Sequence, residues 1–285
     1  MITEAGTGTI AALLAAVRSR LAATSETASL DAQVLLAHAL GVDRGWLLAH
    51  PEAALDAEQL AAFEAGLARL EKGEPLPYIL GEWEFFGLKL KVTPAVLIPR
   101  PETELLVETA LAWLAAHPTK RQAADVGTGS GCIPIALTAN CADLQITAGD
   151  ISPAALAVAR GNVGLYTLQD RVHLIESDLL AKMQGPFDLI TANLPYIPEG
   201  RLAELTITKW EPRVALGGGK DGLRFIEPFL AQAAAKLASG GLLLAEIDAS
   251  LEAEVLLFAS KRWPQARIEV RTDLAELPRL LVVET

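Results

Sequence analysis

The stretch Ala123-Ala-Asp-Val-Gly-Thr-Gly-Ser-Gly131 decides the fold of this chain. Its first four residues have the length of a short buried strand. The three glycines that follow allow a tight turn and a close approach of the backbone to a ligand. The apolar run over residues 133–139 predicts a helix directly after that turn. A strand, a glycine-rich turn and a helix in this order are typical of a βα unit that binds a ligand at the turn.

Strands and helices continue to alternate after this first unit. Predicted strands cover residues 144–148, 172–176, 187–192, 242–247, 268–270 and 280–283, and predicted helices cover 153–162, 225–238 and 251–260. Repeated βα units predict an α/β fold, in which a mostly parallel, doubly wound sheet carries helices on both faces. Ligands bind to such sheets beyond the carboxyl ends of the strands, so residues at those ends are the candidates for function.

The first quarter of the chain has a different pattern, with apolar residues at helical spacing. Three stripes are visible: Ile10, Leu13, Leu14, Val17 and Leu21; Leu30, Val34, Leu35 and Leu40; and Leu60, Phe63, Leu67 and Leu70. They predict a small Ala-rich helical domain over residues 1–72, with Gly41 ending the second helix. Since these helices carry no set of catalytic residues, we expect this domain to recognise the substrate.

A linker and a hairpin are predicted between the helical domain and the α/β domain. Gly73-Glu-Pro-Leu-Pro77 carries the glycine and prolines of a linker. Two short strands then flank Gly87, over residues 83–86 and 88–92, which is the pattern of a β-hairpin. The predicted organisation is thus a helical domain over 1–72, a linker with a β-hairpin over 73–101, and a catalytic domain over 102–285 that begins with the helix 103–116.

The composition favours a globular protein that acts on a protein or a small molecule. Hydrophobic residues make up 51% of the chain and charged residues 21%, which is typical of a folded chain. The formal net charge of −11 is opposite in sign to that of proteins that bind nucleic-acid phosphates, so we expect no direct nucleic-acid partner. No apolar run reaches the ~20 residues of a membrane helix, and Met1-Ile-Thr-Glu4 lacks the basic start of a signal peptide. We therefore expect a cytoplasmic protein with no membrane partner.

Neither the cysteines nor the histidines predict a metal site. Cys132 and Cys141 are the only cysteines and do not form a Cys-x-x-Cys pair. The four histidines are scattered without the spacing of metal ligands. We therefore expect neither a metal nor a disulfide framework.

The glycine-rich turn and an acidic residue further along the chain predict a nucleoside-binding site. The turn consists of Gly127, Thr128, Gly129, Ser130 and Gly131. Asp150 ends the next strand, 23 residues after the first of these glycines (150 − 127), and an acidic residue about 20 residues on can accept hydrogen bonds from ribose hydroxyls. Nicotinamide sites use the same arrangement, although their usual spacing is Gly-x-Gly-x-x-Gly. Asp178, after the third strand, is a candidate acceptor for an adenine amino group or a residue of a surface loop.

The tetrapeptide Asn193-Leu194-Pro195-Tyr196 follows the fourth strand and suits methylation of a planar nitrogen. The Asn193 side-chain oxygen and the next backbone carbonyl can accept both N–H bonds of an NH₂ group and hold it in line with a methyl donor. The tyrosine ring can stack on a planar amide or on a base. A simple proline turn would explain the tetrapeptide alone, but not its position after a glycine-rich turn and Asp150.

These motifs resemble one known family, the protein-(glutamine-N5) methyltransferases that modify release factors. The resemblance extends over nearly the whole chain. Its most specific block is Val96-Leu-Ile-Pro-Arg-Pro-Glu-Thr-Glu104. The other blocks are Glu84-Phe-Phe-Gly87, residues 125–131, Asp150-Ile-Ser-Pro153, residues 193–198, Glu211-Pro-Arg213 and Gly218-Gly-Lys-Asp-Gly222.

The resemblance implies a fold, a cofactor and a substrate. It implies a helical N-terminal domain joined by a β-hairpin linker to a seven-stranded catalytic domain. It also implies that residues 127–131 and Asp150 hold S-adenosylmethionine, that Asp178 lies near its adenine, and that residues 193–196 hold the amide of a glutamine. The implied partner is a peptide chain release factor, and the implied target is the glutamine of its Gly-Gly-Gln loop.

The sequence departs from the family in two places, and two alternative functions remain. The family usually has Asn-Pro-Pro-Tyr, whereas Leu194 here replaces the first proline, which removes a fixed φ but keeps a backbone carbonyl. Asp273-Leu-Ala-Glu-Leu-Pro-Arg279 matches the family's C-terminal motif only loosely. The form Asn-Leu-Pro-Tyr also occurs in ribosomal RNA adenine dimethyltransferases, so an RNA or DNA adenine-N6 methyltransferase is the alternative. A non-catalytic cofactor-binding module is the third possibility, against which the intact Asn193, Pro195 and Tyr196 argue.

Overall fold

The structure, a computed structural model, describes residues 8–21 and 27–285 of the 285-residue chain. Residues 1–4, on which the prediction about a signal peptide rests, lie outside the described residues. Part of the predicted helical domain also lies outside them. The contacts divide the chain into two compact units, Met1–Gly81 and Glu82–Thr285. Among the described helices, none combines the length and the apolar character that crossing a membrane requires.

The first unit is helical. Its helices are α1 (Ile10–Leu21), α2 (Ala28–Leu40), α3 (Arg44–Ala49), α4 (Ala57–Leu70) and α5 (Leu76–Leu80). Asp43 caps α3, and Asp56 and Gln59 form a reciprocal capping box that starts α4. Gly41 ends α2, as predicted, with a φ of 69° that favours glycine.

The buried face of α2 differs from the predicted stripe. Leu30 is 42% exposed, whereas Ala28, Ala32, Leu35 and Leu36 are buried. The expectation that Leu30 packs inward was therefore wrong. The other three residues of the predicted stripe do pack against the core of the first unit: Val34, Leu35 and Leu40. Ala28 and Ala32, one turn apart, take the inward position that was predicted for Leu30.

The segment predicted as a linker contains the short helix α5. Its residues Leu76 and Tyr78 are buried, and Leu76 belongs to the same apolar core as α1, α2 and α4. Arg69 of α4 donates to the Tyr78 carbonyl at 3.2 Å. The first unit therefore continues to Gly81, beyond the predicted boundary at residue 72.

The second unit begins with the predicted β-hairpin. Strands β1 (Glu82–Phe85) and β2 (Leu88–Lys91) pair antiparallel. Phe86 and Gly87 make the turn, both with positive φ, and the Phe86 N–H donates to Glu104 Oε1 at 2.8 Å. This bond joins the Glu-Phe-Phe-Gly block to the Pro-Glu-Thr-Glu block.

A seven-stranded sheet forms the centre of the second unit. Its strands are β3 (Gln122–Val126), β4 (Gln145–Asp150), β5 (Val172–Glu176), β6 (Phe187–Asn193), β7 (Leu237–Glu246), β8 (Arg267–Thr272) and β9 (Pro278–Glu284). Their order is β5-β4-β3-β6-β7-β9-β8, parallel except for β9, which runs antiparallel to β7 and β8. The helices of this unit are α6 (Glu104–Ala116), α7 (Cys132–Asn140), α8 (Pro153–Leu165), α9 (Glu199–Leu202), α10 (Ile226–Ala234) and α11 (Glu252–Arg262).

This architecture confirms the predicted doubly wound α/β fold. Ala123 packs into a core with α6 and α7, whereas the next residue, Ala124, packs into a separate core with α10 and α11. Both faces of the sheet are therefore covered. The helix predicted to run to residue 238 ends at Ala234, because the following residues join β7, which starts at Leu237.

The strand order reverses at β3. The chain runs outward through β4 and β5 on one side, and then returns to add β6 and β7 on the other side. A crevice opens beyond the carboxyl ends of the strands at such a reversal. The glycine-rich turn and the tetrapeptide follow β3 and β6, the two strands that meet there.

Candidate active site

Two adjoining cavities lie at the carboxyl ends of the strands, both within the second unit. The first, here called the loop cavity, is lined by residues 127–130, Asp150, Asp178 and residues 193–195, among others. The second, here called the tetrapeptide cavity, is lined by residues 193–197 together with Leu205, Ile207 and Leu216. Arg100 and residues 193–195 line both cavities.

The structure brings all but two of the predicted site residues to the loop cavity. Gly131 is not among its lining residues; it precedes α7, and a Cβ there would lie 3.4 Å from the Cβ of Ala159. Its part in cofactor binding stays a prediction, and the close approach to Ala159 shows that the packing of α7 against α8 also favours glycine here. Tyr196 lines the tetrapeptide cavity instead.

The glycine-rich turn is shaped for close approach to a ligand. Gly127 has a φ of 72°, which favours glycine, and a Cβ there would lie 3.1 Å from Leu194 Cδ2, so any other residue would be strained and crowded. The hydroxyls of Thr128 and Ser130 are buried, and neither has a hydrogen-bond partner within residues 8–21 and 27–285. Buried polar groups normally have partners. These residues therefore fit a polar ligand such as a nucleoside in the loop cavity.

Asp150, at the end of β4, holds the glycine-rich turn to that strand. Its Oδ2 accepts the Gly129 N–H and its Oδ1 accepts the Ser152 N–H, both at 2.9 Å. A carboxylate has about four acceptor positions, so two remain for ribose hydroxyls. Across the cavity, Leu179 follows Asp178 with a φ of 50°. A positive φ is uncommon for leucine, so this residue is held in an unfavourable backbone conformation at the wall of the loop cavity.

Asp125 is a buried acid beneath the turn. Burial raises the pKa of Asp125 to about 6, and its hydrogen bond from Thr191 at 2.7 Å partly opposes the shift. The Thr128 hydroxyl is near enough to lower this pKa as well, but it does not reach hydrogen-bonding geometry. The nearby charge of Asp150 raises the pKa further.

The Asn193 side chain is held by its nitrogen. Nδ2 donates to Thr103 Oγ1 at 3.1 Å and to Glu246 Oε2 at 2.9 Å. An amide nitrogen has only two hydrogens, so both are used. Oδ1, the acceptor, is then the polar end that Asn193 presents where the two cavities meet.

Glu246 was missed by the sequence analysis. It ends β7, is 3% exposed, and accepts from Thr103 at 2.6 Å and from Tyr196 at 3.1 Å as well as from Asn193. Burial raises the pKa of Glu246, while these hydroxyls and the charge of Arg279 oppose the rise. The available signal was its position at the end of a predicted strand beside the strand that bears Asn193.

A buried ion pair joins two of the sequence blocks that carry the family resemblance. Arg100 donates to Glu211 Oε1 at 2.6 Å, and the Glu211 side chain is fully buried. Burial raises the pKa of Glu211, and the charge of Arg100 opposes that effect. The Leu-Ile-Pro-Arg-Pro and Glu-Pro-Arg blocks therefore meet at the wall that both cavities share.

The divergent C-terminal segment forms a structured turn between β8 and β9. Asp273 accepts the N–H groups of Ala275 and Leu277 and the Nε–H of Arg279. These bonds hold the pKa of Asp273 below its usual value. Arg279 also donates to the Ile247 carbonyl at 3.4 Å, next to Glu246. The segment thus places a cation behind the tetrapeptide.

A doubly wound sheet with a glycine-rich turn, an acidic strand end and an Asn-x-Pro-Tyr tetrapeptide defines a methyltransferase. The protein-family comparison agrees: residues 12–81 match the model described as PrmC N-terminal domain, and residues 101–209 match the Methyltransferase small domain. Curated relatives identify the family more closely. The chain belongs to the release factor glutamine methyltransferases, which confirms the resemblance found in the sequence.

Two relatives illustrate the similarity. The release factor glutamine methyltransferase of Nitratidesulfovibrio vulgaris is 38% identical over 96% of this chain and 94% of its own length. That of Bordetella pertussis is 39% identical over 88% of this chain and 93% of its own length. Among solved structures, a methyltransferase from Pyrococcus furiosus aligns with a TM-score of 0.52 at 17% identity, over 80% of this chain and 98% of that one, which supports the fold.

Proposed function

We propose that this enzyme transfers a methyl group from S-adenosylmethionine to the side-chain amide nitrogen, N5, of the glutamine in the Gly-Gly-Gln loop of peptide chain release factors. The names of its relatives support the reaction and the protein substrate. The observation that carries the proposal is the orientation of Asn193, whose NH₂ group is fully engaged so that its oxygen remains as an acceptor.

The loop cavity suits S-adenosylmethionine. Asp150 would accept the ribose hydroxyls, Thr128 and Ser130 would pair their buried hydroxyls with polar atoms of the ligand, and Asp178 would accept from the adenine amino group. When bound, this cofactor supplies an electrophilic methyl group on a sulfonium. Residues 193–195 line this cavity as well as the tetrapeptide cavity, so a ligand in one cavity would lie next to a ligand in the other.

The tetrapeptide provides what an amide nitrogen needs. The lone pair of an amide nitrogen is delocalised into the carbonyl, so this nitrogen is a poor nucleophile. Asn193 Oδ1 and the Leu194 carbonyl would accept the two N–H bonds, fix the nitrogen at the methyl group and raise its electron density. As the N–C bond forms, the bond between the methyl group and sulfur would break, its electron pair would stay on sulfur as a thioether, and one N–H proton would leave to solvent. Tyr196 and Leu205 line the cavity in which the glutamine side chain would lie.

The test is a methyl-transfer assay with tritiated S-adenosylmethionine. The intact release factor is the acceptor, and the same factor with its Gly-Gly-Gln glutamine changed to glutamate is the matched control. We expect one methyl group on that glutamine, located by mass spectrometry, and none on the control or on naked ribosomal RNA. Methylation of adenine with the factor unchanged would overturn the proposal in favour of the adenine alternative.

Asn193→Ala tests the part assigned to the tetrapeptide. We expect the rate to fall by ~10²-fold or more, comparable to the loss of one positioned hydrogen-bonding group in other enzymes. Affinity for the cofactor, measured by calorimetry, should fall much less, because the ribose and adenine contacts remain. Asn140→Ala, an exposed helix-end residue far along the sequence from the tetrapeptide, is the matched control. A full rate with Asn193→Ala would remove Asn193 from the reaction.

A further inference from the structure

Glu246 lines neither the loop cavity nor the tetrapeptide cavity, yet it is among the most buried carboxylates of the second unit. It is 3% exposed, and its hydrogen bonds come from Thr103, Asn193 and Tyr196. No ion pair joins it within residues 8–21 and 27–285. Burying a carboxylate is costly unless hydrogen bonds compensate, so this arrangement calls for a reason.

The chemistry of the carboxylate determines which way Asn193 points. Three donors meet on the Glu246 carboxyl, which is the environment of an ionised carboxylate, a group that only accepts hydrogen bonds. The Asn193 amide must therefore turn its NH₂ group towards Glu246 Oε2. The reversed amide would place its oxygen against the carboxylate. The Thr103 hydroxyl donates its only proton to the same Oε2 atom at 2.6 Å. The Thr103 oxygen can therefore only accept a hydrogen bond from Asn193. A reversed amide would place the Asn193 oxygen against Thr103, which has no proton left to donate.

We propose that Glu246, together with Thr103, is the positioning residue that fixes the Asn193 amide with its oxygen towards the methyl acceptor. The proposal rests on the proposed function and deepens it. Glu246 Oε1 also accepts the Tyr196 hydroxyl, so one carboxylate sets the first and the last residue of the tetrapeptide. Neither Glu246 nor Thr103 transfers a proton in this proposal; both act through Asn193.

Thr103 allows the sharpest test, because valine has the shape of threonine without its hydroxyl. In Thr103→Val the Asn193 amide loses one of its two restraints, while Thr103→Ser keeps the hydroxyl. We expect Thr103→Val to lower kcat by about tenfold or more with little change in cofactor affinity, and Thr103→Ser to restore most of the rate. A general structural role would instead lower cofactor affinity and the melting temperature together with kcat.

Glu246 itself distinguishes hydrogen bonding from charge. In Glu246→Gln the side-chain oxygen can still accept from Thr103 and Asn193, and its NH₂ group can face Tyr196, whose hydroxyl can turn to accept. We expect Glu246→Gln to keep the rate within about tenfold, and Glu246→Leu to lose about a hundredfold. Glu284→Gln is the matched control, since Glu284 accepts from Trp113 at the opposite end of the sheet.

A second measurement does not depend on turnover. The side-chain NH₂ signal of Asn193, assigned by its loss in Asn193→Ala, should exchange slowly with solvent in the wild-type protein and rapidly in Thr103→Val. If the wild-type enzyme fails to methylate the release factor, the proposed function is wrong, while this signal still tests the restraint.

Three outcomes would overturn the inference. They are equal kcat in folded Thr103→Val and the wild type, equal loss in Glu246→Gln and Glu246→Leu, and a fast-exchanging Asn193 signal in the wild type. The second outcome would assign the effect to the negative charge of Glu246. If Glu246→Leu fails to fold, Thr103→Val and the exchange measurement decide the question.

Discussion

The backbone N–H of Gly129 donates a 2.9 Å hydrogen bond to Asp150 Oδ2. The glycine-rich turn after β3 and the acidic residue that ends β4 are therefore held together by the carboxylate that would also bind the ribose. Loss of the carboxylate should affect both the ligand contact and the shape of the turn.

Asp150→Ala is expected to weaken the binding of S-adenosylmethionine by about tenfold or more. Charge-assisted hydrogen bonds contribute roughly 1.5–3 kcal/mol each, and the variant loses those to the ribose as well as the one to Gly129. Calorimetric titration measures the effect. Asp170→Ala, which changes an exposed aspartate of the same unit, should bind as the wild type does. Unchanged affinity in Asp150→Ala would exclude this residue from the site.

Asn162 links the glycine-rich turn to the β-hairpin, so its loss should reduce stability. It is fully buried, accepts from the Lys91 N–H, and donates to the carbonyls of Lys91 and Ser130. Asn162→Leu leaves these backbone groups without partners, at ~1–3 kcal/mol for each that stays unsatisfied. We expect the free energy of unfolding in urea to fall by ~2 kcal/mol or more.

The control for this prediction is Asn140→Ala. Asn140 is exposed and makes one local bond, to the Ala136 carbonyl, so its free energy of unfolding should stay near that of the wild type. Cofactor affinity should fall in Asn162→Leu alone, because Ser130 lines the loop cavity. A stable Asn162→Leu variant with normal affinity would contradict the proposed link between hairpin and turn.

Asp125 should make the stability of the second unit depend on pH. Burial raises the pKa of Asp125 from 3.8 to about 6, so the folded state binds more protons than the unfolded state between these values. The stabilisation from this group is complete below pH 3.8 and is lost as the pH rises to 6. A shift of this size corresponds to ~3 kcal/mol.

Asp125→Asn removes this dependence and keeps an acceptor for the Thr191 hydroxyl. Its free energy of unfolding, relative to the wild type, should therefore increase by up to ~3 kcal/mol between pH 4 and pH 7. Urea unfolding at several pH values measures the difference, and Asp170→Asn serves as the control. Parallel stability curves for Asp125→Asn and the wild type would show that the carboxyl is not titrating in this range.

The residues that could be predicted from the sequence are those that lie in short motifs at strand ends. The glycine-rich turn, Asp150 and Asn193 were found because each follows a predicted strand. Glu246 lies near the end of a predicted strand and Thr103 lies within the block of residues 96–104, but both were missed, because their hydrogen bond joins residues 143 positions apart and no local pattern reveals that pairing. The fold was predictable because periodicity is a local property, whereas the support behind a site depends on contacts between distant segments.

Boundaries were less predictable than elements. The prolines of Gly73-Glu-Pro-Leu-Pro77 indicated a linker, but proline is also tolerated in the first turn of a helix. Here the segment forms the helix α5, and Leu76 and Tyr78 of that helix are buried. The prediction for Leu30 was wrong for a related reason, since Ala28 and Ala32 occupy the buried face of α2 and leave Leu30 exposed. In both cases tertiary packing decided between two locally acceptable structures.

We propose that the helical unit docks the release factor, and its removal tests this. Because the first unit continues to Gly81, the truncated chain should begin at Glu82; a start near residue 73 would leave the apolar helix α5 without its core. We expect the truncated chain to keep its affinity for S-adenosylmethionine and to lose most turnover on the intact release factor. A short Gly-Gly-Gln peptide is the control substrate, and its slow methylation should be unaffected. Equal turnover on the intact factor would refute the docking role.

Leu194→Pro tests whether the tetrapeptide needs its leucine. Leu194 is 6% exposed, belongs to the apolar core with Val126, and lies against Gly127. In the proposed reaction only its backbone carbonyl takes part, which proline also has, and the pyrrolidine ring would retain part of the apolar contact. We therefore expect kcat on the release factor to stay within about an order of magnitude. Leu194→Ala keeps the carbonyl but opens a cavity, so it should lower the free energy of unfolding by ~2–5 kcal/mol. A hundredfold loss in Leu194→Pro, with normal cofactor affinity, would show that the carbonyl is placed by a backbone conformation that proline cannot adopt.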